Sequence, residues 1–313
     1  MLLPAVSTRE DYGRIYRNAD VWLPAMREIC QRHSLDATQL EFAPPGTHVV
    51  FKVGSLYIKL FSPLWGDFVP ERLVLRRLSE QSESPIPRLV VEGEVEGWPY
   101  IIMTAVEGVP LKEVWGSMHM SDREHIATRC GRLMTSLHAT HTEGLEAIAV
   151  DWPALVEGQV QGCIDRVTRA GINEALRGSI LEFLDDLPVL FESGFQPVLL
   201  NADVTDEHIL VSKRGGRWEL TGFIDFGDAM LGHPYYEFVA PGCSITRGEP
   251  GLQRAMLLAY GYSEDELSAT FADQLMSYTL LHRYIRISDL VKPFGSRQPT
   301  SLEDIKRALW SFA

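Results

Sequence analysis

The sequence predicts an α+β fold in two lobes, a small antiparallel-sheet lobe over 1–105 and a larger, mainly helical lobe over 106–313. Three observations carry this. The 313 residues are about twice the size of one average domain. The stretch 40–105 is rich in β-branched and aromatic residues and punctuated by Gly and Pro turns, which is strand texture. Beyond Gly108 apolar residues recur mostly at helical spacing, interrupted by one short island of strands.

Taken in order, Ser7 and Glu10 form a capping-box pattern, and Val21, Trp22, Met26, Ile29 and Cys30 carry helical spacing to about His33. Residues 41–42, 48–53 and 56–61 read as β-hairpin strands, separated by Pro44-Pro45-Gly46 and Gly54-Ser55. Phe68–Leu78 reads as a helix with Leu75 and Leu78 among its buried positions. Two more strands, 88–95 and 98–105, meet at a Glu96-Gly97 turn. In the second lobe Ser121 and Glu124 are expected to cap a helix whose Ile126, Cys130, Leu133, Met134 and Leu137 form one stripe. Asp151 with Pro153 opens another helix, and 173–187 reads as a third. The strand island is 197–201, 208–212 and 218–225, with Gly215-Gly216 as a hairpin turn. Ser263 with Glu266 is expected to start a long helix, and 301–312 is the last. A ligand cleft between the lobes is the expectation for such a shape.

Composition excludes several functions. Lys plus Arg number 29 against 42 Asp plus Glu, a net charge of −13. That balance argues against nucleic acid as a partner and suits a cationic ligand. Cys30, Cys130, Cys163 and Cys243 lie far apart with no CxxC pair, so they read as buried, reduced thiols of a cytosolic protein. The opening MLLPAVSTRE has neither the basic nor the apolar region of a secretory signal. No run approaches the roughly 18 apolar residues of a membrane span. The expectation is a soluble, cytoplasmic protein. Motifs of P-loop, Rossmann, zincin and α/β-hydrolase enzymes are missing. His138 and His141 stand one helical turn apart without a third ligand suggested nearby, and read as structural; Trp310 and Phe312 read as packing.

The segment 198–237, VLLNADVTDEHILVSKRGGRWELTGFIDFGDAMLGHPYYE, is the most informative. Asp203 follows an apolar strand, His208 opens the next, and Asp225 is expected to end the one after that. Two carboxylates at adjacent strand ends can converge. Phosphoryl transfer needs such a pair, one to orient and deprotonate a hydroxyl and one to hold Mg²⁺ on nucleotide phosphates. Lys59, flanked by Ile58 and Leu60, would point an ammonium inward, and Glu71 twelve residues on could pair with it. Asp228 and Glu237 read as bracing or capping groups, with a substrate-facing role as the alternative.

These residues resemble the aminoglycoside phosphotransferase superfamily of small-molecule kinases, from about 40 to about 290 and most sharply over 199–237. The resemblance implies a protein-kinase-like bilobal fold, an ATP or GTP donor, Mg²⁺, and a small-molecule hydroxyl acceptor such as an aminoglycoside, a macrolide or a metabolite. Carried over, Asp203 is the catalytic base, with Asn201 beside it where the family usually has His. Asp225 is the metal-binding Asp. His208 replaces the usual Asn, a change that macrolide kinases share; it would be a second metal ligand, a strand cap or an acceptor-facing group. Lys59 is the lysine on the α/β-phosphates, with Glu71 as its partner. Gly46 and Thr47, after Pro45, form the tip of the loop over the phosphates. Thr104 and Val106 offer the carbonyl and amide that meet the adenine. Ala202 stands in place of Gly, and Thr205-Asp206-Glu207 in place of His-Pro-Gly.

The helical stretches 151–187 and 251–290 are expected to form the acceptor pocket, and Glu264, Asp265, Glu266 and Asp273 would suit an amine-bearing acceptor. The expected assembly is a monomer or homodimer. The alternative reading, motivated by Asn201 and His208, is a degenerate kinase that binds nucleotide or a partner without catalysis. Protein substrates fit less well, because no long activation segment follows Asp225.

Overall fold

The computed structural model describes residues 1–43, 46–80, 85–187 and 194–312. Pro44 and Pro45 lie outside the described residues. The chain divides into two units, Met1–Gly108 with Thr221–Ala229, and Val109–Leu220 with Met230–Ala313. The segment carrying Asp225 thus groups with the first unit.

The first unit opens with two helices, α1 (Arg9–Ile15) and α2 (Ala19–Arg32), in place of the single helical stretch expected. The cap is Thr8, one residue past Ser7, because its extended backbone lets the hydroxyl accept the Asp11 N–H at 3.1 Å. The break between the helices is fixed twice. Asn18 caps α2, and the Trp22 indole donates to the Tyr16 carbonyl at 3.2 Å.

An antiparallel sheet follows, built of β1 (Leu40–Phe42), β2 (Val49–Val53), β3 (Leu56–Leu60), β4 (Leu89–Val95) and β5 (Trp98–Thr104) in the order β1-β2-β3-β5-β4. Along β2 burial alternates, so Val49, Phe51 and Val53 enter a core with Trp22, Met26 and Ile29 of α2. The β4–β5 turn needs left-handed backbone at both Glu96 and Gly97, with φ of 47° and 82°, which glycine supplies without strain at the second position. Helix α3 (Phe68–Leu78) buries Val74, Leu75 and Leu78 and, with them, the charged Glu71.

The second unit starts with β6 (Val109–Pro110), α4 (Leu111–Val114) and α5 (Met120–His138). The expected Ser121 cap does not form: His119 is the N-cap, and Ser121 is already inside the first turn. Next come α6 (Trp152–Arg169), capped by Asp151, and α7 (Glu174–Asp185), capped by Asn173, both as the sequence indicates. The strand island is β7 (Val198–Leu200), β8 (Ile209–Arg214), β9 (Arg217–Phe223) and β10 (Met230–Gly232). Here the expectation of adjacent strand ends is corrected. Strand β7 pairs with β10, whereas β8 lies between β6 and β9 in a separate sheet. Asp225 also lies two residues beyond β9 rather than ending it.

Helices α8 (Pro234–Glu237), α9 (Val239–Pro241), α10 (Pro250–Tyr260), α11 (Ala269–Leu281), α12 (Ile287–Val291) and α13 (Leu302–Leu309) complete the unit. The Ser263–Glu266 capping box forms, but it closes a single tight turn, Glu264–Glu266. The long helix α11 begins afterwards on Ser268, whose hydroxyl accepts the Phe271 N–H. Trp310 is buried and donates to the Thr279 hydroxyl at 3.0 Å, and Phe312 stacks on Phe271, so both are packing groups.

Helices α5 and α10 meet at Gly131, where a Cβ would stand 2.1 Å from the Met256 carbonyl oxygen. Backbone cannot yield there without parting the helices. Gly131→Ala is expected to destabilise this unit by about 1–3 kcal/mol, read as a lower urea midpoint; an unchanged midpoint would show that the two helices separate at no cost.

All four cysteines are free thiols. Among the described residues no helix is long and apolar enough to cross a membrane.

Candidate functional site

In the first unit, strand β3 places Lys59 beside buried Ile58 and Leu60, and Lys59 is itself 5% exposed. A buried cation must be paired. Lys59 Nζ lies 2.5 Å from Glu71 Oε2 and 3.1 Å from Asp225 Oδ1. Burial by itself favours the neutral amine, but the Asp225 and Glu71 carboxylates overcome it and hold the lysine above its ordinary value. The sequence-expected Lys59, Glu71 and Asp225 therefore come together.

Asp225 adopts left-handed backbone, φ 66°, a conformation that Asp tolerates better than most residues. Its Oδ1 accepts the Gly227 N–H at 3.3 Å. A Cβ on Gly227 would stand 3.1 Å from that of Asp67. Asp67 in turn accepts from His48 Nε2 at 2.9 Å, and burial pushes the His48 pKa down, which keeps the imidazole neutral. Gly46 is exposed, with open space where a side chain would be, and the Thr47 carbonyl accepts the Tyr12 hydroxyl at 2.9 Å. Thr104 ends β5: its N–H donates to the Arg88 carbonyl and its hydroxyl accepts the Arg88 N–H, each at 2.9 Å. Ala105 N–H donates to Ser55, so Val106 follows a backbone fixed on both sides.

In the second unit, Asp203 lies in the loop after β7. Asn201 is fully buried, and its side-chain oxygen accepts the Asp203 N–H at 3.0 Å. The Asn201 and Ala202 amides both donate to the buried Glu237 carboxylate, at 2.9 and 2.8 Å. Ala202 has φ 65°, which explains why a glycine suits this position, and its carbonyl accepts from His282 Nε2 at 3.2 Å. The residue before Asp203 is thus gripped at both ends of its backbone. His208 Nδ1 lies 2.8 Å from the Asp203 carbonyl, so Nδ1 is a protonated ring nitrogen that donates to it.

Asp206 and Glu207 are both paired within the fold. Asp206 pairs with Arg247 at 2.8 Å, and Glu207 pairs with Lys112, whose N–H also donates to the Asp206 carbonyl. Glu264 pairs with Arg254, Glu266 bonds to Ser263, and Asp273 pairs with Lys306 at 2.5 Å. His138 bonds the Tyr260 hydroxyl at 2.8 Å, and burial lowers its pKa to about 3, a structural imidazole as expected.

Glu237 takes the bracing role that the sequence favoured. His282, Tyr12, His48 and Asp67 carry no local signal in the sequence, because their partners lie 19 to 80 residues away. Burial raises the Glu237 carboxyl to about 7 against the pull of its two amide donors. Glu237→Gln keeps one acceptor oxygen and turns an NH₂ donor toward the other amide. A loss of about 1–3 kcal/mol is expected in chemical denaturation. The pH dependence has a definite sign. A folded pKa above the ordinary 4.5 means that Glu237 stabilises the fold below about pH 4.5, and that this contribution is lost as pH rises through 7. The difference between wild type and Glu237→Gln, followed from pH 4.5 to 8, isolates that slope; parallel curves would remove Glu237 as its source.

The donor chemistry at Asp225 fits Mg²⁺, a hard cation usually held by one or two carboxylates together with water and substrate phosphates. Among the described residues no group of three His, Cys, Asp or Glu side chains forms a self-sufficient metal cage.

The family model described as phosphotransferase enzyme family, APH, matches residues 52–274. The chain superposes on wild-type aminoglycoside 2'-phosphotransferase-IIIa, in its GDP complex, with a TM-score of 0.68, 18% identity and coverage of 92% of this chain and 96% of that one. Aminoglycoside phosphotransferase APH(3'')-Id from Streptomyces rimosus gives 0.53, 20% identity, and 83% and 97% coverage. A curated relative, lysine-specific demethylase JMJ21 of Arabidopsis thaliana, is 22% identical over 270 residues, which are 68% of this chain and 29% of that protein. The chain thus spans under a third of the length of that relative. With the family match covering most of its length and the kinase-like architecture shared across the superposed structures, the chain belongs to the phosphotransferase enzyme family.

Proposed function

We propose that this protein transfers the γ-phosphate of ATP or GTP to a hydroxyl of a small molecule. The observation that carries the reading is the buried Lys59 ammonium held between Glu71 and Asp225. Such a cation, pre-charged and fixed, is suited to nucleotide phosphates and costs no reorganisation when they arrive. Gly46 and Thr47 would cover the phosphates, and Thr104 and Val106 would meet the base.

Asp203 accepts the proton of the acceptor hydroxyl as its oxygen bonds to the γ-phosphorus. The bond from that phosphorus to the β–γ bridging oxygen breaks, and the nucleoside diphosphate leaves with the electron pair. Asn201, Glu237 and His282 fix the backbone that aims Asp203. Mg²⁺ held by Asp225, with His208 as a further ligand, would neutralise charge on the phosphates.

Related structures contain kanamycin or streptomycin. For this chain the acceptor is a small molecule of the aminoglycoside, macrolide or metabolite kind. The pairing of its acidic residues within the fold leaves an uncharged acceptor as well supported as a cationic one. We place the reaction in the cytoplasm, where nucleoside triphosphates are abundant, with the protein as monomer or homodimer.

The test is thermal stabilisation by ATP and by GTP, with and without Mg²⁺, on wild type and Asp225→Ala. A Mg²⁺-dependent rise of several degrees that Asp225→Ala loses is expected, and it names the donor for an acceptor screen. No shift with either nucleotide at millimolar concentration would favour a fold that has lost catalysis.

A further inference from the structure

We infer that Tyr12 is a positioning residue for the nucleotide phosphates, acting through the backbone of Thr47. The inference rests on the reading of Gly46 and Thr47 as the phosphate-covering loop. Tyr12 lies on α1, upstream of the family-matched region that begins at residue 52. It is 3% exposed, and its hydroxyl donates to the Thr47 carbonyl at 2.9 Å.

The hydroxyl is delivered by a rigid frame. The Tyr12 ring stacks on Tyr16 with centroids 5.4 Å apart and meets the edge of Trp65 at 5.0 Å. The segment before α1 is fastened as well, since the Leu2 and Leu3 amides donate to the Glu96 carboxylate in the β4–β5 turn. A side chain on a helix so anchored fixes a loop carbonyl more firmly than solvent would.

That carbonyl is linked to the Glu71–Lys59 pair through its neighbours. His48, the next residue, bonds Asp67, and Asp67 begins the helix that presents Glu71 to Lys59. The Glu71 N–H donates to the Asp67 carbonyl at 3.3 Å. Trp65 contacts both the Tyr12 and His48 rings, at 5.0 and 6.2 Å. One continuous set of contacts thus runs from Tyr12 through Thr47, His48 and Asp67 to the Glu71–Lys59 pair. Fixing the Thr47 carbonyl orients the peptide plane that follows it, and with it the His48 amide at the mouth of β2. A device of this kind acts on phosphates and leaves base recognition alone.

The experiment uses the full chain and compares the dissociation constants of the Mg²⁺–triphosphate and of the matching nucleoside, ATP with adenosine or GTP with guanosine, whichever pair wild type binds. Tyr12→Phe keeps the ring and removes the hydroxyl. It is expected to weaken the triphosphate about three- to ten-fold and to leave the nucleoside within about two-fold. Tyr16→Phe removes a hydroxyl from the stacked neighbour, whose partner is Arg17, and should change neither constant. Equal constants for Tyr12→Phe and wild type would overturn the inference. So would an equal weakening of triphosphate and nucleoside, which is what a general loosening of the unit produces. Wild type that binds no nucleotide would instead sink the phosphotransfer reading and take this inference with it, so the two failures are distinct.

Discussion

Asp203→Asn is expected to lower phosphate transfer about 10²- to 10⁴-fold while nucleotide affinity stays within about two-fold of wild type. The loop geometry makes this a clean substitution. Asn201, Glu237 and His282 hold the backbone at residues 201–203 through amides and a carbonyl, not through the Asp203 carboxylate. An amide of the same shape therefore keeps the loop in place and removes the proton acceptor. His208 Nδ1 stands 3.4 Å from Asp203 Oδ2, but its closer contact is the Asp203 carbonyl, which the substitution preserves. Nucleotide-induced stabilisation should be intact, because Lys59, Glu71 and Asp225 belong to the other unit. Radiolabelled transfer to an identified acceptor, paired with nucleotide titration, separates the two effects. Transfer that survives within ten-fold would remove Asp203 as the base, and loss of nucleotide binding would make its role structural.

Much of this fold could be read from local chemistry. Asn173, Asp151 and Ser301 cap helices where the sequence put them, because a side-chain oxygen before an apolar periodicity has one local use. Helix α3 runs from Phe68 to Leu78 as read, and Gly215-Gly216 turns the β8–β9 hairpin with φ of 58° and 85°. The misreadings are cases where neighbouring residues compete for one job. Ser7 and Thr8 both precede the acidic first turn of α1, and the chain uses the second. Ser263 and Ser268 both cap turns, and only the second starts a long helix.

The site divides in the same way. Lys59 between apolar neighbours advertises a buried cation, and its pairing with Glu71 follows from a strand leading into a short helix. The left-handed turn at Asp225 was invisible, since no residue type at 224–226 demands it. His282 is a lone histidine in sequence, and its grip on Ala202 exists through an 80-residue loop closure. The strand pairing of β7 with β10 is equally non-local, which is why the strands that precede Asp203 and Asp225 read as adjacent from sequence.

Lys59→Met should have the second large effect, and it acts on stability as well as on activity. Removing the ammonium leaves the 1%-exposed Glu71 carboxylate without its cation, a defect of about 3–5 kcal/mol when the carboxylate is charged. Glu71 can escape that cost by taking up a proton, and burial already pushes its pKa up. Its folded pKa in the variant then lies further above the unfolded one. The folded state accordingly binds the proton more tightly, and the variant loses stability as pH rises, with the deficit largest at alkaline pH and smallest in acid. Urea midpoints from pH 5 to pH 8.5 would show this slope relative to wild type. Adding Glu71→Leu to Lys59→Met removes the stranded carboxylate and should recover most of the stability without recovering Mg²⁺-dependent nucleotide binding. That separation is the decisive outcome. If the double variant stays as unstable as the single one, the cost lies in packing around residue 59. If it regains nucleotide affinity, Lys59 does not hold the phosphates.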